Sequence, residues 1–173
     1  MNDQSIATRL KRLEDRAAIQ SLVARYSLAV DDHDFKILGS LWAPDARYGF
    51  FGDVHAEGSA QIAALLEGNI GPGGVSLHTN HDHLIEWDES DTDRAQGVLS
   101  CHAEVTVAGE HQVAGIRYRD KYVLIDGQWL FAERFLGFLY FAPVEEYAGV
   151  LLKRERLIFP GIPAIAAHWP DFA

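Results

Sequence analysis

The stretch QVAGIRYRDKYVLIDGQWLFAERFLGFLYF, residues 112–141, decides the fold. Two runs rich in β-branched and aromatic residues flank the pair Asp126-Gly127, which strongly favours a two-residue turn between antiparallel strands. Two similar runs with turn residues between them precede this hairpin. The second half of the chain therefore predicts an antiparallel meander of four strands, at 77–87, 95–107, 112–125 and 128–141.

The first half of the chain has helical patterns. Apolar residues recur at steps of three, four or five along its first segment, with charged residues between them. We expect Asp34 to cap the second helix, Pro44 to stop it, and Ser59 to cap the third. The expected elements are helices over 4–31, 35–42 and 57–69, and a first strand over 46–51. Helices followed by a meander predict an α+β fold, with the helices on the concave face of a curved, mostly antiparallel sheet.

The composition is that of a globular, acidic protein. Its 173 residues are 48% hydrophobic and 23% charged, and the formal net charge is −10. This charge disfavours nucleic acid and anionic membranes as partners, because both require a basic surface. The single cysteine, Cys101, excludes an intramolecular disulfide and a thiolate zinc cluster. Because the chain has neither an apolar signal core nor a run of membrane-spanning length, we expect a cytoplasmic protein without membrane association.

Three histidines, His78, His81 and His83, lie within six residues of the predicted strand 77–87. Side chains alternate along a strand, so His81 and His83 are expected to share one face while His78 points to the other, unless a bulge intervenes. A metal site needs three or four converging ligands, and none of the usual metalloenzyme spacings occurs. We therefore expect no metal, with His81 and His83 at the surface or in an interface.

Four segments carry a resemblance to a known family: RAAIQSLVARYSLAVDDHDFKILGSLWAPDARY (16–48), GSAQI (58–62), HTNHDHLIEW (78–87) and DGQWLFAER (126–134). Over residues 5–142 the chain resembles the SnoaL-like branch of the nuclear-transport-factor-2-like superfamily. It is most similar to the group of scytalone dehydratase, bile acid 7α-dehydratase and hexachlorocyclohexane dehydrochlorinase.

The resemblance implies a cone-shaped α+β barrel whose open mouth holds a largely apolar pocket. It also implies one SnoaL-like domain over residues 1–173 that forms a homo-oligomer, either a dimer or a trimer. The tail, 143–173, is rich in proline yet apolar. We expect it to pack across the pocket or onto a neighbouring subunit.

The resemblance further implies a catalytic set. An aspartate at the end of the first helix paired with a histidine on a strand corresponds to Asp31 and His78, and an arginine in the last strand corresponds to Arg134. Two tyrosines correspond to Tyr26 and Tyr48. Tyr26 stands where the dehydrochlorinase has a lysine, which makes loss of water a better expectation than loss of chloride. The residues expected to bind substrate are Tyr118, Phe51, Leu136, Phe138 and Cys101.

These residue types suit a lyase without a cofactor. A neutral imidazole takes and returns a proton near neutral pH, and a carboxylate on its other nitrogen fixes the tautomer. His78 is then the base and Asp31 its orienting partner. Tyr26, Tyr48 and Arg134 assist the leaving group or the developing negative charge. The many aromatic residues near the ends of the strands predict a bulky apolar substrate, aromatic or polycyclic.

Other interpretations remain open at this point. The chain is alternatively a carbon–carbon lyase that releases formaldehyde, a ketosteroid-type isomerase, or a non-catalytic ligand-binding member or subunit. Asp31 is alternatively a helix cap, and Arg134 an ion-pair partner of Asp31 or Glu133. The tyrosines are alternatively packing residues, and Cys101 a small buried apolar residue.

Overall fold

The computed structural model describes residues 5–50 and 52–168. In chain order its elements are α1 (Ile6–Asp31), α2 (Phe35–Ser40), β1 (Trp42–Phe50), β2 (Asp53–Glu57), α3 (Ser59–Ile70), β3 (Leu77–Trp87), β4 (Arg94–Val107), β5 (Glu110–Ile125), β6 (Gln128–Pro143), a 3₁₀ turn (Val144–Glu146) and α4 (Tyr147–Val150).

The six strands form one curved, open sheet in the order β2-β1-β6-β5-β4-β3. Neighbouring strands are antiparallel except β1 and β6, which are parallel because β1 enters the sheet from the helices and not through a hairpin. The N-terminal helices pack on one face of this sheet. The predicted α+β fold with a mostly antiparallel sheet is therefore confirmed.

The hairpin between β5 and β6 has the geometry that its sequence predicts. Asp126 and Gly127 have φ of 50° and 79°, and both positive values belong to the turn that matches the twist of the strands. The turn between β4 and β5 is built in the same way by Ala108 and Gly109, at 51° and 80°. All four meander strands occur where they were predicted; β4 begins one residue earlier, β5 begins two residues earlier and β6 ends two residues later.

The elements before the meander differ from the prediction in three ways. The second helix ends at Ser40, and Pro44 lies inside β1 and not after a helix. The pairing of β1 with β6 is interrupted between Trp42 and Arg47, so the missing N–H of Pro44 costs no ladder hydrogen bond. The third helix begins after Gly58, whose φ is 84°, and Ser59 makes no capping bond. Strand β2 was not predicted at all.

Helix α1 places only its second half in the buried core, although Asp15 in the first half accepts a hydrogen bond from Trp129 of β6 at 3.0 Å. Ile19, Leu22 and Tyr26 are buried there with the rest of the core. The first turns extend beyond the sheet, so Ile6, at 82% exposure, and Leu10, at 54%, are outside the core although they continue the helical pattern. The buried half of α1 ends at Asp31 and thereby brings that carboxyl group to the edge of the sheet formed by β3.

Gly49 provides a test of how the β1–β2 edge is built. It lies at an irregularity in the pairing of these strands, and a Cβ atom there would overlap the backbone carbonyl of Asp53. We expect Gly49→Ala to lower the free energy of unfolding by about 1–3 kcal/mol, measured by urea denaturation. Gly68→Ala is the control: this exposed helical glycine has open space around it, so alanine should stabilise by up to about 1 kcal/mol. Equal stabilities of the two variants would contradict the tight approach at Gly49.

Candidate active site

Asp31 and His78 form a hydrogen-bonded pair between the end of α1 and the start of β3. His78 Nδ1 lies 2.7 Å from Asp31 Oδ1, and the backbone N–H of His78 donates to Asp31 Oδ2 at 2.8 Å. The hydroxyl of Ser76 also donates to Oδ1, at 3.0 Å. The two side chains are only 10% (His78) and 14% (Asp31) exposed. The carboxylate thus fixes both the ring and the backbone of the histidine.

The charge of Asp31 settles the tautomer of His78. Burial alone raises the pKa of Asp31, but the hydrogen bonds from His78 and Ser76 outweigh burial and hold that pKa below its ordinary value. An ionised carboxylate only accepts hydrogen bonds, so Nδ1 of His78 carries its proton. The neutral ring therefore has an unprotonated Nε2, and His78 lines the neighbouring cavity.

Ser76 was not among the residues predicted from the sequence. Its position two residues before His78 is the signal that was available, because residues two apart on an extended chain lie on the same side.

A bulge in β3 changes which histidines share a face. The register passes from Asn80 opposite Cys101 to His83 opposite Leu99, so β3 contains one extra residue at this point. His83 is thereby returned to the inner face that His78 also occupies, and its Nε2 lies 3.0 Å from the Tyr122 hydroxyl. The predictions that His83 shares a face with His81 and lies at the surface or in an interface are therefore wrong. His81 itself is exposed.

A cavity of about 160 Å³ lies between the helices and the inner face of the sheet. Its polar lining is made of hydroxyl, amide and imidazole groups, and no Asp, Glu, Lys or Arg is among the described residues that line it. Of the predicted site residues, the cavity wall contains Tyr26, Tyr48, His78, Tyr118, Leu136 and Phe138. Phe51 lies outside the described residues.

Tyr26, Tyr48 and Tyr118 form a cluster on one wall of this cavity. All three are buried, and the rings of Tyr26 and Tyr118 meet edge to face with centroids 6.3 Å apart. Burial raises the pKa of each tyrosine. The hydroxyl contact with Tyr48 lowers the pKa of Tyr26, but by less than burial raises it. The three phenols therefore stay protonated at neutral pH and can act as hydrogen-bond donors.

Arg134 lies behind this cluster and does not line the cavity. Its side chain is fully buried and donates two hydrogen bonds to Asp120, at 2.8 and 2.7 Å. The guanidinium carbon lies 4.3 Å from the ring centroid of Tyr26 and 4.2 Å from that of Tyr118. The alternative that Arg134 pairs with Asp31 or Glu133 is not what the structure has. Glu133 instead pairs with Arg47 and Lys121 on the outer side of the sheet.

Asp120 connects Arg134 to a chain of buried polar groups that the sequence analysis missed. The Tyr122 hydroxyl donates to Asp120 at 2.8 Å and lies 3.0 Å from His83 Nε2. Because Tyr122 gives its only proton to the carboxylate, Nε2 of His83 must be the donor in the second contact. The sequence contained a signal: Asp120 lies between Tyr118 and Tyr122 at a spacing of two, so all three share one face of β5.

The C-terminal tail packs against the end of β6. The backbone N–H of Phe141 donates to the Arg156 carbonyl at 2.9 Å, and the Phe141 carbonyl accepts from the Ile158 N–H at 2.7 Å. The His168 N–H donates to the Phe138 carbonyl at 3.1 Å. Phe159 stacks on Phe141 with centroids 4.6 Å apart and meets Phe138 edge to face. Since Phe138 and Phe141 line the cavity, Phe159 supports one side of it from behind.

Cys101 is buried in the core but is not among the residues that line the cavity. Burial raises the pKa of its thiol to about 12, so almost no thiolate exists at ordinary pH. We expect the folded protein to be unreactive toward a disulfide reagent at pH 8 over an hour, and the urea-unfolded chain to release one equivalent of chromophore. Cys101→Ser gives the blank for both measurements. Rapid labelling of the folded protein would show that the thiol is accessible.

The described residues contain neither a membrane-spanning helix nor a metal-binding cluster. No helix in the described ranges is long and apolar enough to cross a membrane. Within the same ranges, no three His, Cys, Asp or Glu side chains are grouped so as to hold a metal ion.

Comparison with known proteins identifies the family. The model of the SnoaL-like domain matches residues 11–135. A structure of LinA is 25% identical, with a TM-score of 0.72, and the match covers 79% of this chain and 93% of that one. A putative scytalone dehydratase from Novosphingobium aromaticivorans is 24% identical, with a TM-score of 0.68 and coverage of 76% and 89%.

A third structure, a type 2 hexachlorocyclohexane dehydrochlorinase (LinA), is 23% identical, with a TM-score of 0.72 and coverage of 89% and 99%. No curated protein matches the sequence. The likenesses below 25% identity support the fold, and the family model spans well over half of the chain. The protein therefore belongs to the SnoaL-like family.

Proposed function

We propose that this protein is a cofactor-independent lyase that removes water from a small apolar molecule. The observation that carries the proposal is the 2.7 Å hydrogen bond between Asp31 and Nδ1 of His78, in a histidine that lines a largely apolar cavity. A base must present an unprotonated nitrogen to the substrate, and this arrangement leaves Nε2 for that purpose.

The proposed reaction begins at a carbon next to a carbonyl group. His78 Nε2 takes the proton from this carbon, and the electron pair of the broken C–H bond moves toward the carbonyl oxygen. Asp31 stabilises the imidazolium that forms. Hydrogen bonds from the cavity tyrosines, of which Tyr26 and Tyr48 are in hydroxyl contact, stabilise the negative charge on oxygen.

The second half of the reaction returns the proton. The electron pair forms the carbon–carbon double bond as the C–O bond to the neighbouring hydroxyl breaks, and the imidazolium gives its proton to the leaving oxygen. The products are an unsaturated ketone and water, with His78 neutral again. We assign the protonation to the imidazolium because burial raises the pKa of each cavity tyrosine and so makes it a poorer acid.

Arg134 has an indirect role in this proposal. Its charge lies against the rings of Tyr26 and Tyr118 and lowers the pKa of both, although burial has the larger effect and the pKa values remain raised. The cation thereby strengthens these phenols as hydrogen-bond donors. Tyr118 and Tyr26 contact the substrate, whereas Arg134 acts through them.

The lining of the cavity disfavours an isomerase of the ketosteroid type. Such a reaction uses a carboxylate base in contact with the substrate, and among the described lining residues there is no Asp or Glu. Release of formaldehyde from a hydroxymethyl side chain uses the same base and donors, so it is distinguished by its product.

The test is a product assay on purified protein. We expect β-hydroxycyclohexanone or a similar β-hydroxy ketone to give the conjugated ketone, followed by its ultraviolet absorbance, and one equivalent of water. Formaldehyde is measured in parallel on hydroxymethyl analogues. If formaldehyde forms and no conjugated ketone does, the assignment changes from dehydration to carbon–carbon cleavage. If neither product forms from any neutral hydroxy ketone, the lyase assignment is overturned.

A further inference from the structure

The volume of the cavity limits what it can enclose. A dry protein cavity of roughly 150 Å³ holds one benzene molecule. The cavity of this protein, at about 160 Å³, matches one six-membered ring with small substituents. The cavity is open to solvent on one side, so a second fused ring has to lie at its mouth, outside this space. The abundance of aromatic residues does not by itself require a polycyclic substrate, since several of those residues contact one another: Phe138, Phe141 and Phe159.

The charges around the cavity limit the ligand in a second way. No ionised Lys, Arg, Asp or Glu side chain is among the described lining residues. The nearby Arg134 is neutralised by two hydrogen-bonded contacts with Asp120, and the carboxylate of Asp31 lies against His78. A carboxylate or phosphate on the ligand would lose its hydration without gaining a counter-charge. An uncharged ligand avoids this cost.

The polar groups of the lining show what the ligand should offer instead. The buried phenols of Tyr26, Tyr48 and Tyr118 are grouped on one wall, with Tyr26 and Tyr48 in hydroxyl contact, and such a group favours a ligand with an acceptor oxygen. We infer that the substrate is an uncharged compound with a single six-membered ring and a carbonyl oxygen, and that Phe159 sets the size limit. The carbonyl rests on the proposed function, whereas the limits on size and charge apply to any ligand of this cavity.

Phe159 is assigned as the size-determining residue because of its place behind the wall. It does not line the cavity, but its ring stacks on Phe141 at 4.6 Å and contacts Phe138 at 5.9 Å. Both of those rings are part of the lining. With the ring of Phe159 removed, Phe141 gains space to move outward, and the cavity can enlarge toward the tail.

The test measures binding, by calorimetry, in His78→Ala so that no turnover interferes. The probes are acetophenone, benzoate and α-tetralone, which represent one neutral ring, one charged ring and two fused rings. We expect acetophenone to bind, α-tetralone to bind about 10-fold more weakly because its second ring does not fit inside the cavity, and benzoate to bind at least about 10-fold more weakly because its charge is unpaired.

Phe159→Ala in the same background should raise the affinity for α-tetralone by about 10-fold, while the affinity for acetophenone changes less than about 3-fold. Phe135→Ala is the matched control, since this half-buried ring of β6 does not line the cavity and should leave all three affinities unchanged. Equal binding of α-tetralone and acetophenone would overturn the size limit, and tight binding of benzoate would overturn the charge limit.

The outcomes also separate this inference from the proposed function. If acetophenone binds selectively but the wild-type protein converts no neutral hydroxy ketone, the lyase assignment fails and the ligand class stands. If the wild-type protein dehydrates a fused-ring or anionic substrate as fast as a single-ring ketone, the ligand class fails and the lyase assignment stands.

Discussion

His78→Ala is expected to reduce turnover by about 10³-fold or more while the protein remains folded. Removal of a positioned general base typically costs 10²–10⁴-fold in rate, and in the proposed reaction the same ring also protonates the leaving group. The ring lines the cavity and is not part of the hydrophobic core, so its loss leaves the core packing intact. The rate is measured as formation of the conjugated ketone, and folding is checked by circular dichroism and the urea midpoint.

Asp31→Asn tests the orienting partner of His78 with little change in shape. Asp31 accepts from Nδ1 and the backbone N–H of His78 and from the Ser76 hydroxyl. An asparagine has one oxygen and one NH₂ group, so one of its sides turns a donor toward a donor. The tautomer is then no longer fixed, and we expect a loss of about 10²–10⁴-fold in kcat.

His83→Ala is the matched control for both variants. This histidine lies on the same strand and, because of the bulge, on the same face as His78, but it contacts Tyr122 and is not among the cavity-lining residues. Its removal should leave kcat within about 3-fold of the wild type, as expected for a residue that does not contact the substrate. Wild-type rates in His78→Ala, or an equal loss in His83→Ala, would contradict the assignment of His78 as the base.

The sequence predicted the meander well because its signals are local. The turn at Asp126-Gly127 depends only on the backbone preferences of these two residues. The alternation of side chains along the flanking strands then indicates how far the strands extend. The pairing of Asp31 with His78 was expected from the resemblance, not from spacing, because the two residues are far apart in sequence and meet only through the path of α1 across the sheet.

The errors share a physical cause, which is that pairing in the sheet overrides local pattern. Pro44 is a helix stop by local rules, yet a gap in the pairing of β1 with β6 accommodates it within a strand. The extra residue between Asn80 and His83 is visible only against the partner strand β4, so alternation alone placed His83 on the wrong face. Asp120 was missed because its need for a partner becomes apparent only when the face of β5 is known to be buried.

Asp120→Ala is expected to lower the free energy of unfolding by about 3–5 kcal/mol. The change leaves the guanidinium of Arg134 charged and fully buried without its counter-ion. Asp120 itself is 3% exposed and accepts from Tyr122 as well, so the alanine also leaves a buried hydroxyl without its acceptor. Urea denaturation at pH 7 measures the loss.

Two comparisons isolate the buried charge as the cause. Arg47→Ala removes another arginine–carboxylate pair, with Glu133, but the arginine side chain there is 43% exposed, and a surface pair is worth at most about 1 kcal/mol. The double variant Asp120→Leu with Arg134→Met replaces both charges by apolar groups, which is often close to neutral for stability. We therefore expect the double variant to be more stable than Asp120→Ala although it contains more changes. If Asp120→Ala unfolds at the same urea concentration as Arg47→Ala, or if the double variant is the least stable of the three, then Arg134 does not depend on Asp120 for its burial.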